Sequence, residues 1–241
     1  MGTDVSKNKQ HNDGIHFFLK KINHRGEQCD ALRQKNLFII YVVKGNDNMN
    51  WTAVPQLADL TKDLSRFERH VLSLAGRLGL NLDECAIDHI SLRCHQASTA
   101  QRWFEGWQCC GVCLTHHVFN GRPIALFALE HPLILANQAI DCVELPWPGA
   151  RRYSHEGWEH IEIVLAGPPQ TLVQRALALL ADDALTAPDI SVRHSAPHDQ
   201  AERLPNPTLA VSDGRVTIKF HPYNLRAIVA SEGHQPTGSD E

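Results

Sequence analysis

Two six-residue strings, DHISLR at residues 88–93 and EHIEIV at residues 159–164, decide the fold that this sequence predicts. Each string has an acidic residue, a histidine and then β-prone residues, and an amphipathic helical stretch follows each. A repeated strand–helix opening indicates two similar modules. We therefore expect His89 and His160 to lie at equivalent points and to meet across a pseudo-two-fold axis.

The elements that follow the first string are a helix, a hairpin and a strand. Ser98 is the expected N-cap of a helix that ends near Cys109. Residues 112–119 and 123–129 predict a hairpin around Asn120-Gly121, because this dipeptide favours a two-residue β-turn. Residues 140–145 predict the strand that closes the module.

The second string is followed by the same kinds of element. Residues 158–165 predict a strand, and residues 172–180 a helix. Residues 190–193 predict a short strand. The strands 208–211 and 216–221 predict a hairpin around a second favourable turn sequence, Asp-Gly.

Each module is therefore a β-α-β-β-β unit, with module one at about residues 85–148 and module two at about residues 155–224. Two such units predict an α+β fold. They pair into one curved, mostly antiparallel sheet with helices on its outer face.

The modules are expected to form one domain at residues 49–232. A further helix is predicted before module one, where apolar residues recur at helical spacing over residues 57–78. Residues 1–48 are polar and basic, and we expect a disordered or non-family extension there. Residues 233–241 are polar and predict a flexible tail.

Composition limits the classes of function. The chain has 241 residues, a net charge of −4 and a pI near 6.4, which argue against a nucleic-acid partner. No apolar run approaches the roughly 20 residues of a membrane span, so no membrane partner is expected. Seven cysteines without disulfide-framework spacing predict a cytoplasmic protein. Composition does not define an oligomeric state.

Strand alternation places chemically active side chains on one face of the sheet. That face would carry, on four strands, His89, Ser91, Arg93, Glu144, His160, Glu162, Thr217, Lys219 and His221. Two histidines and a carboxylate form a set that suits Fe(II), Mn(II), Ni(II) or Zn(II). The alternative is a solvated face of a half-buried antiparallel sheet.

These residues lie in strings that resemble the YecM family, small bacterial proteins of the vicinal-oxygen-chelate superfamily, which includes glyoxalase I and extradiol dioxygenases. The strings are DHISLRCH, NGRPI, VELPWPG, HEGWEHIEIVL, ERLPNPTLAV and KFHP, and the resemblance covers about residues 49–232. It implies paired βαβββ modules with a divalent metal ion, of Fe, Mn, Ni or Zn type. The implied ligands are His89, Glu144, His160 and a residue of the last strand. Either His221 is this fourth ligand, or Lys219 replaces the ligand and the metal site is altered.

The resemblance and the polar face lead to two functional hypotheses. The first is a metal-dependent isomerase, lyase or dioxygenase that acts on a small oxygen-rich substrate. Glu162, or Glu144 if Glu162 is a ligand, would be the catalytic base. The second is a non-catalytic module that binds a metal ion or a small molecule and keeps the fold, and Lys219 favours it.

Substrate contacts are assigned to cationic side chains of the same face and its edge. Arg93 and Arg122 are candidates to hold an anionic substrate, because guanidinium pairs with carboxylate in a bidentate manner. Their alternative role is a structural ion pair with Glu144 or Glu162. Lys219 is the third candidate for substrate binding.

Overall fold

The computed structural model describes residues 49–119, 121–150, 155–195 and 204–232. The predicted extension at 1–48, the predicted tail at 233–241 and Asn120 of the first hairpin lie outside these residues.

Eight strands form one sheet in the order β2-β3-β4-β1-β5-β8-β7-β6. The strands are β1 Ala86–Arg93, β2 Gly111–Phe119, β3 Arg122–Leu135, β4 Gln138–Pro146, β5 Gly157–Val164, β6 Ser191–Ser195, β7 Thr208–Ser212 and β8 Thr217–His221. In each module the first strand pairs in parallel with the last, and the other pairs are antiparallel. β1 and β5 pair antiparallel at the centre of the sheet. Because the order is unchanged when the modules are exchanged, a pseudo-two-fold axis passes between β1 and β5.

This architecture confirms the predicted α+β fold with two βαβββ modules. The helices are α1 Ala58–Arg77, α2 Ala97–Gln108, α3 Leu172–Leu177, α4 Asp182–Leu185 and α5 Leu225–Glu232. α1 contacts β5 and β8, α2 contacts β2, β3 and β4, and α3 contacts β7 and β8. None of the described helices is long and apolar enough to cross a bilayer.

A cluster of tryptophans packs the helical layer against the central strand β5. Trp158 of β5 is 1% exposed, and its indole nitrogen donates a hydrogen bond to the carbonyl of Leu60 in α1 at 2.9 Å. The rings of Trp51 and Trp107 each lie 6.0 Å from that of Trp158. Each buried aromatic side chain contributes roughly 1.5–3 kcal/mol. The cluster therefore holds the start of the described chain and α2 against β5, and so fixes the strand that carries His160.

Two local predictions differ from the structure. Ser98 does not cap α2: the cap position is Gln96, and the Ser98 hydroxyl donates a hydrogen bond to the Gln96 side-chain oxygen at 3.3 Å. β3 is longer than predicted and returns into β4 through a tight turn at Ala136 and Asn137. Both turn residues have positive φ, 49° and 60°, which is typical of a type I′ hairpin turn. Glu68 of α1 accepts a hydrogen bond from the Ala136 amide at 2.8 Å, and this contact stabilises the turn.

Candidate metal centre

The register of the four central strands places the polar side chains next to one another. Glu144 of β4 pairs with Ser91 of β1, and His160 of β5 also pairs with Ser91. Glu162 of β5 pairs with His89 on one side and with Lys219 of β8 on the other. These residues surround the pseudo-two-fold axis, as alternation in the sequence predicts.

Four side chains come together closely enough to share one cation. One ligand atom from each of His89, Glu144, His160 and Glu162 lies within 4.8 Å of all the others. The Glu162 Oε1 atom is 3.0 Å from His160 Nε2 and 3.6 Å from His89 Nε2, and Glu144 Oε2 is 3.7 Å from His160 Nε2. Ligand atoms at about 2.0–2.2 Å from one ion lie about 3.0–3.6 Å apart. The two buried histidines and two partly buried glutamates can therefore hold a metal ion once the more distant ligand atoms move closer together.

Both histidines are preceded by an acidic residue that occupies a register shift. Along the β1–β5 pair, Ile87 and His89 are opposite consecutive residues, so Asp88 is the extra residue on β1. Glu159 is likewise the extra residue on β5, at the symmetric place. An extra residue in a strand disturbs strict alternation. Each acid therefore reaches the same face as the histidine that follows it.

The two acids hold the histidine rings by their Nδ1 atoms. Asp88 Oδ2 is 2.9 Å from His89 Nδ1, and Glu159 Oε2 makes a short contact with His160 Nδ1. A carboxylate at Nδ1 favours the tautomer whose lone pair is on Nε2, which is how histidine ligands of metals are commonly oriented. The Nε2 atoms are the ones that face Glu144 and Glu162. The donor set therefore fits a divalent ion.

The charges of the site are strongly coupled. Burial alone would lower the pKa of His89, but the Glu162 carboxylate and the hydrogen bond to Asp88 raise it to about 10. Burial opposes ionisation of Glu162 and Glu144, yet Lys219 and the histidines hold the pKa of each carboxyl below its usual range. Both carboxylates are thus ionised at neutral pH. A metal ion that binds His89 Nε2 competes with a proton for the same lone pair.

Lys219 occupies the position in module two that Glu144 occupies in module one. Ser91 and Glu162 each lie two residues after the histidine of their string, and their partners in register are Glu144 and Lys219. The Lys219 ammonium donates a hydrogen bond to Glu162 Oε1 at 2.8 Å, and its side chain is 23% exposed. Glu162 and Glu144 raise the pKa of Lys219 against the effect of burial, so the site contains a fixed cation.

His221 lies at the edge of the quartet rather than within it. It is 1% exposed, and neither of its ring nitrogens has a hydrogen-bond partner among the described residues. His221 Nδ1 is 3.6 Å from Glu162 Oε2, and Nε2 is 3.7 Å from Asp88 Oδ2. Asp88, His89 and His221 form a second group that can hold a cation.

A cavity of about 240 Å³ opens beside these residues. His89, Glu144, Glu162, Lys219 and His221 line it, but the two arginines assigned to substrate binding do not. Arg93 lies 3.4 Å from Glu159, and Arg122 begins β3 and lies against Gly149. Of the three predicted substrate contacts, the structure thus brings only Lys219 to the cavity.

The family model described as YecM protein matches residues 56–232, well over half of the chain. The chain belongs to the YecM family. Protein YecM of Escherichia coli K12 is 56% identical over 183 residues, which is 76% of this chain and 97% of that protein. A Haemophilus influenzae protein is 38% identical over 175 residues, or 70% of this chain and 92% of that one.

A solved structure described as "Structural Genomics, Protein EC4020" has the same fold. It is 54% identical in sequence and superposes with a TM-score of 0.72, over 76% of this chain and 97% of that one. Most of the YecM chain therefore has a relative of known structure, and the central strands lie within the matched family region.

Sequence reasoning missed the acidic partners of the histidines. Asp88 and Glu159 belong to the repeated strings, but strict alternation assigns them to the face opposite His89 and His160. The only available signal was that an acid precedes the histidine in both copies. The contribution of Asn206 and α5 to the cavity gave no signal of this kind.

Proposed function

We propose that this YecM protein is a metal-dependent enzyme of the isomerase, lyase or dioxygenase type, with a vicinal-oxygen-chelate fold at residues 49–232. The observation that carries the proposal is the buried quartet of His89, Glu144, His160 and Glu162, with ligand atoms within 4.8 Å of one another. The substrate would be a small oxygen-rich molecule. We assign the activity to the cytoplasm, since the seven cysteines show no framework spacing.

The symmetry of the sheet supports this assignment. The four side chains come from β1, β4 and β5, at the junction where two βαβββ modules meet. A junction between modules offers ligands from both copies around one cavity. Fe(II), Mn(II), Ni(II) and Zn(II) are the ions that imidazole and carboxylate ligands suit best.

A bound divalent ion would supply Lewis acidity and stabilise negative charge that forms on a substrate oxygen. The protein's own contribution is orientation. Asp88 and Glu159 hold the His89 and His160 rings by their Nδ1 atoms, and the backbone amide of Leu225 donates a second hydrogen bond to Asp88 at 2.9 Å. The rings are therefore held in place before a ligand arrives, which reduces the cost of ordering the site.

Proton transfer is assigned to a carboxylate of the quartet. Glu162 lines the cavity and is ionised, so it can accept a proton from a bound substrate if His89, His160 and Glu144 are the ligands. Glu144 takes the role of base if Glu162 is a ligand. The Lys219 ammonium pairs with the Oε1 atom of Glu162, whereas the Oε2 atom of Glu162 faces His221.

Lys219 also favours a second candidate function, a non-catalytic module that binds a metal ion or a small molecule. Its ammonium stands where module one has a carboxylate and already neutralises Glu162. A fixed cation at this place lowers the demand for a metal ion. In this candidate the cavity binds a small molecule and no bond in it is broken.

Metal analysis of protein purified without a histidine tag tests the proposal. We expect about one equivalent of metal in native protein, or after refolded protein is offered Fe, Mn, Ni and Zn in turn. The matched variant carries both His89→Ala and His160→Ala and should bind none of them. Absence of stoichiometric metal from the wild type removes the main support for the enzyme, and equal metal in the double variant places the site elsewhere.

A further inference from the structure

The cavity beside the quartet has a polar half and an apolar half. The polar part of the lining consists of three quartet residues, His89, Glu144 and Glu162, with His117, Ser195, Asn206, Thr208, Lys219 and His221. The apolar half is built by Ile124 and Leu126 of β3 and by Leu225, Ile228 and Val229 of α5. A molecule that fills this space would therefore combine a polar head with an apolar tail.

The apolar half is held in place by contacts outside the cavity. The first amide of α5, on Leu225, donates a hydrogen bond to Asp88 at 2.9 Å. Arg226 of α5 pairs with Asp141 of β4 at 2.7 Å on the exposed side. α5 is thus attached both to the acid that orients His89 and to the neighbouring strand, so its apolar residues form a fixed wall.

The charges around the polar head leave no excess for an ionic ligand. Asp88, Glu144, Glu159 and Glu162 are opposed by Lys219 and Arg93, which leaves two negative charges when the imidazoles are neutral. One divalent ion neutralises this remainder. A carboxylate or phosphate ligand would then add a negative charge that no described side chain is left to balance, since Lys219 is paired with Glu162 and Arg93 with Glu159.

Three buried polar atoms near the cavity lack hydrogen-bond partners among the described residues. They are Asn206 Oδ1 and both ring nitrogens of His221. Both residues line the cavity. Asn206 Oδ1 can only accept a hydrogen bond, and a neutral imidazole offers one donor and one acceptor. A ligand with a hydroxyl group would satisfy these atoms, because a hydroxyl both donates and accepts.

We propose that the cavity binds an uncharged, hydroxyl-bearing small molecule with a short apolar tail, its head at the quartet and Asn206 and its tail against α5. The proposal rests on the proposed function for the metal that the head meets. The volume of about 240 Å³ is comparable to that of roughly eight water molecules, which suits a ligand of about six to ten non-hydrogen atoms.

Three probe ligands distinguish the effect of ligand charge on affinity from the effect of the apolar tail. 2-Hydroxy-4-methylpentanamide has an uncharged hydroxyl head and a branched tail, 2-hydroxy-4-methylpentanoate is its anionic counterpart, and glycolamide has the same head without the tail. Binding is measured by calorimetry on the metal-loaded full chain. The amide should bind about 100-fold more tightly than glycolamide, because its tail buries four carbon atoms. It should also bind at least 10-fold more tightly than the carboxylate.

Two variants of α5 test the position of the tail. Val229→Asp places a charge on the cavity wall and should weaken binding of the pentanamide at least 10-fold. Ala230→Asp adds the same charge at an exposed position of the same helix and should leave it unchanged. Circular dichroism of both variants shows that they are folded.

The outcomes distinguish this proposal from the proposed function. If metal binds but the carboxylate or glycolamide binds as well as the pentanamide, the ligand class is wrong and the metal site stands. Equal binding by the two α5 variants also overturns the proposal. If metal analysis finds no metal, the proposed function fails, and pentanamide binding to the metal-free chain then decides whether the cavity assignment survives alone.

Discussion

Replacing Lys219 by methionine should increase the affinity of the quartet for a divalent metal ion. The ammonium lies 2.8 Å from Glu162 Oε1, and a metal ion must compete with it for that carboxylate. Methionine keeps the length and the apolar stem of the side chain and removes the charge. The variant therefore isolates the electrostatic role of a residue that replaces a carboxylate in the symmetry of the sheet.

The magnitude follows from the distance. At an effective dielectric constant of about 20, two unit charges 2.8 Å apart attract by about 6 kcal/mol, which is an upper bound. The Lys219 side chain is 23% exposed, so solvent screening and the cost of burying both charges reduce the net value to about 1–3 kcal/mol. Metal affinity should then rise by roughly 5- to 150-fold.

The assay is a competition titration against a chromophoric chelator with Zn²⁺ and Mn²⁺ on Lys219→Met, with Lys62→Met on the exposed side of α1 as the control. The control should match the wild type. Without metal, Lys219→Met should also unfold more easily, because Glu162 loses its partner. An unchanged or weaker metal affinity in Lys219→Met would show that the ammonium does not oppose metal binding, and the electrostatic account would be refuted.

Three further predictions concern stability and reactivity. The pKa of Glu159 is lowered from 4.5 to about 2, because His160, Arg93 and Lys219 outweigh the effect of burial. The ionised Glu159 therefore stabilises the folded protein above pH 4.5, and this stabilisation is lost as pH falls toward 2. It amounts to about 3 kcal/mol at most, so guanidinium unfolding of Glu159→Gln should show a smaller loss of stability over that range than the wild type. Gly111→Ala should lower the free energy of unfolding by about 1–3 kcal/mol or more, because its Cβ would lie 2.0 Å from a backbone oxygen. Gly76→Ala has open space and should stabilise α1 by up to about 1 kcal/mol. Denaturant titrations in which Gly111→Ala is more stable than the wild type, or Gly76→Ala less stable, would contradict this. Iodoacetamide should modify the exposed Cys109 before the buried Cys142, whose pKa burial raises to about 12, and mass spectrometry that finds Cys142 modified first would refute the assignment.

The fold was largely predictable because two kinds of local signal agreed. The copies at residues 88–93 and 159–164 gave the repeat, and alternation gave the face on which His89 and His160 lie. The turn at Ala136 and Asn137 was not predictable, since alanine at positive φ contradicts its usual preference and is tolerated because α1 anchors the turn.

The sequence proposes the residues of the candidate site, whereas their grouping is seen only in the structure. The ligand geometry groups Glu162 with His89, His160 and Glu144, and groups His221 with Asp88 and His89. Sequence spacing cannot decide between them, because Lys219 and His221 share a face and only the register of β5 against β8 brings Glu162 to Lys219. The apolar wall from α5 depends on where the chain returns after β8, and local patterns do not contain that information.

The extra residues at Asp88 and Glu159 have a consequence for how such a site is inherited. In metalloproteins a histidine ligand is commonly oriented by a carboxylate or a backbone carbonyl at its other ring nitrogen. Here the ligand and its orienting acid are adjacent in sequence, because a one-residue irregularity turns both toward the same side. A stretch of six residues thus carries a histidine together with its orienting acid, and copying it once supplies both histidines of the quartet, to which β4 adds Glu144.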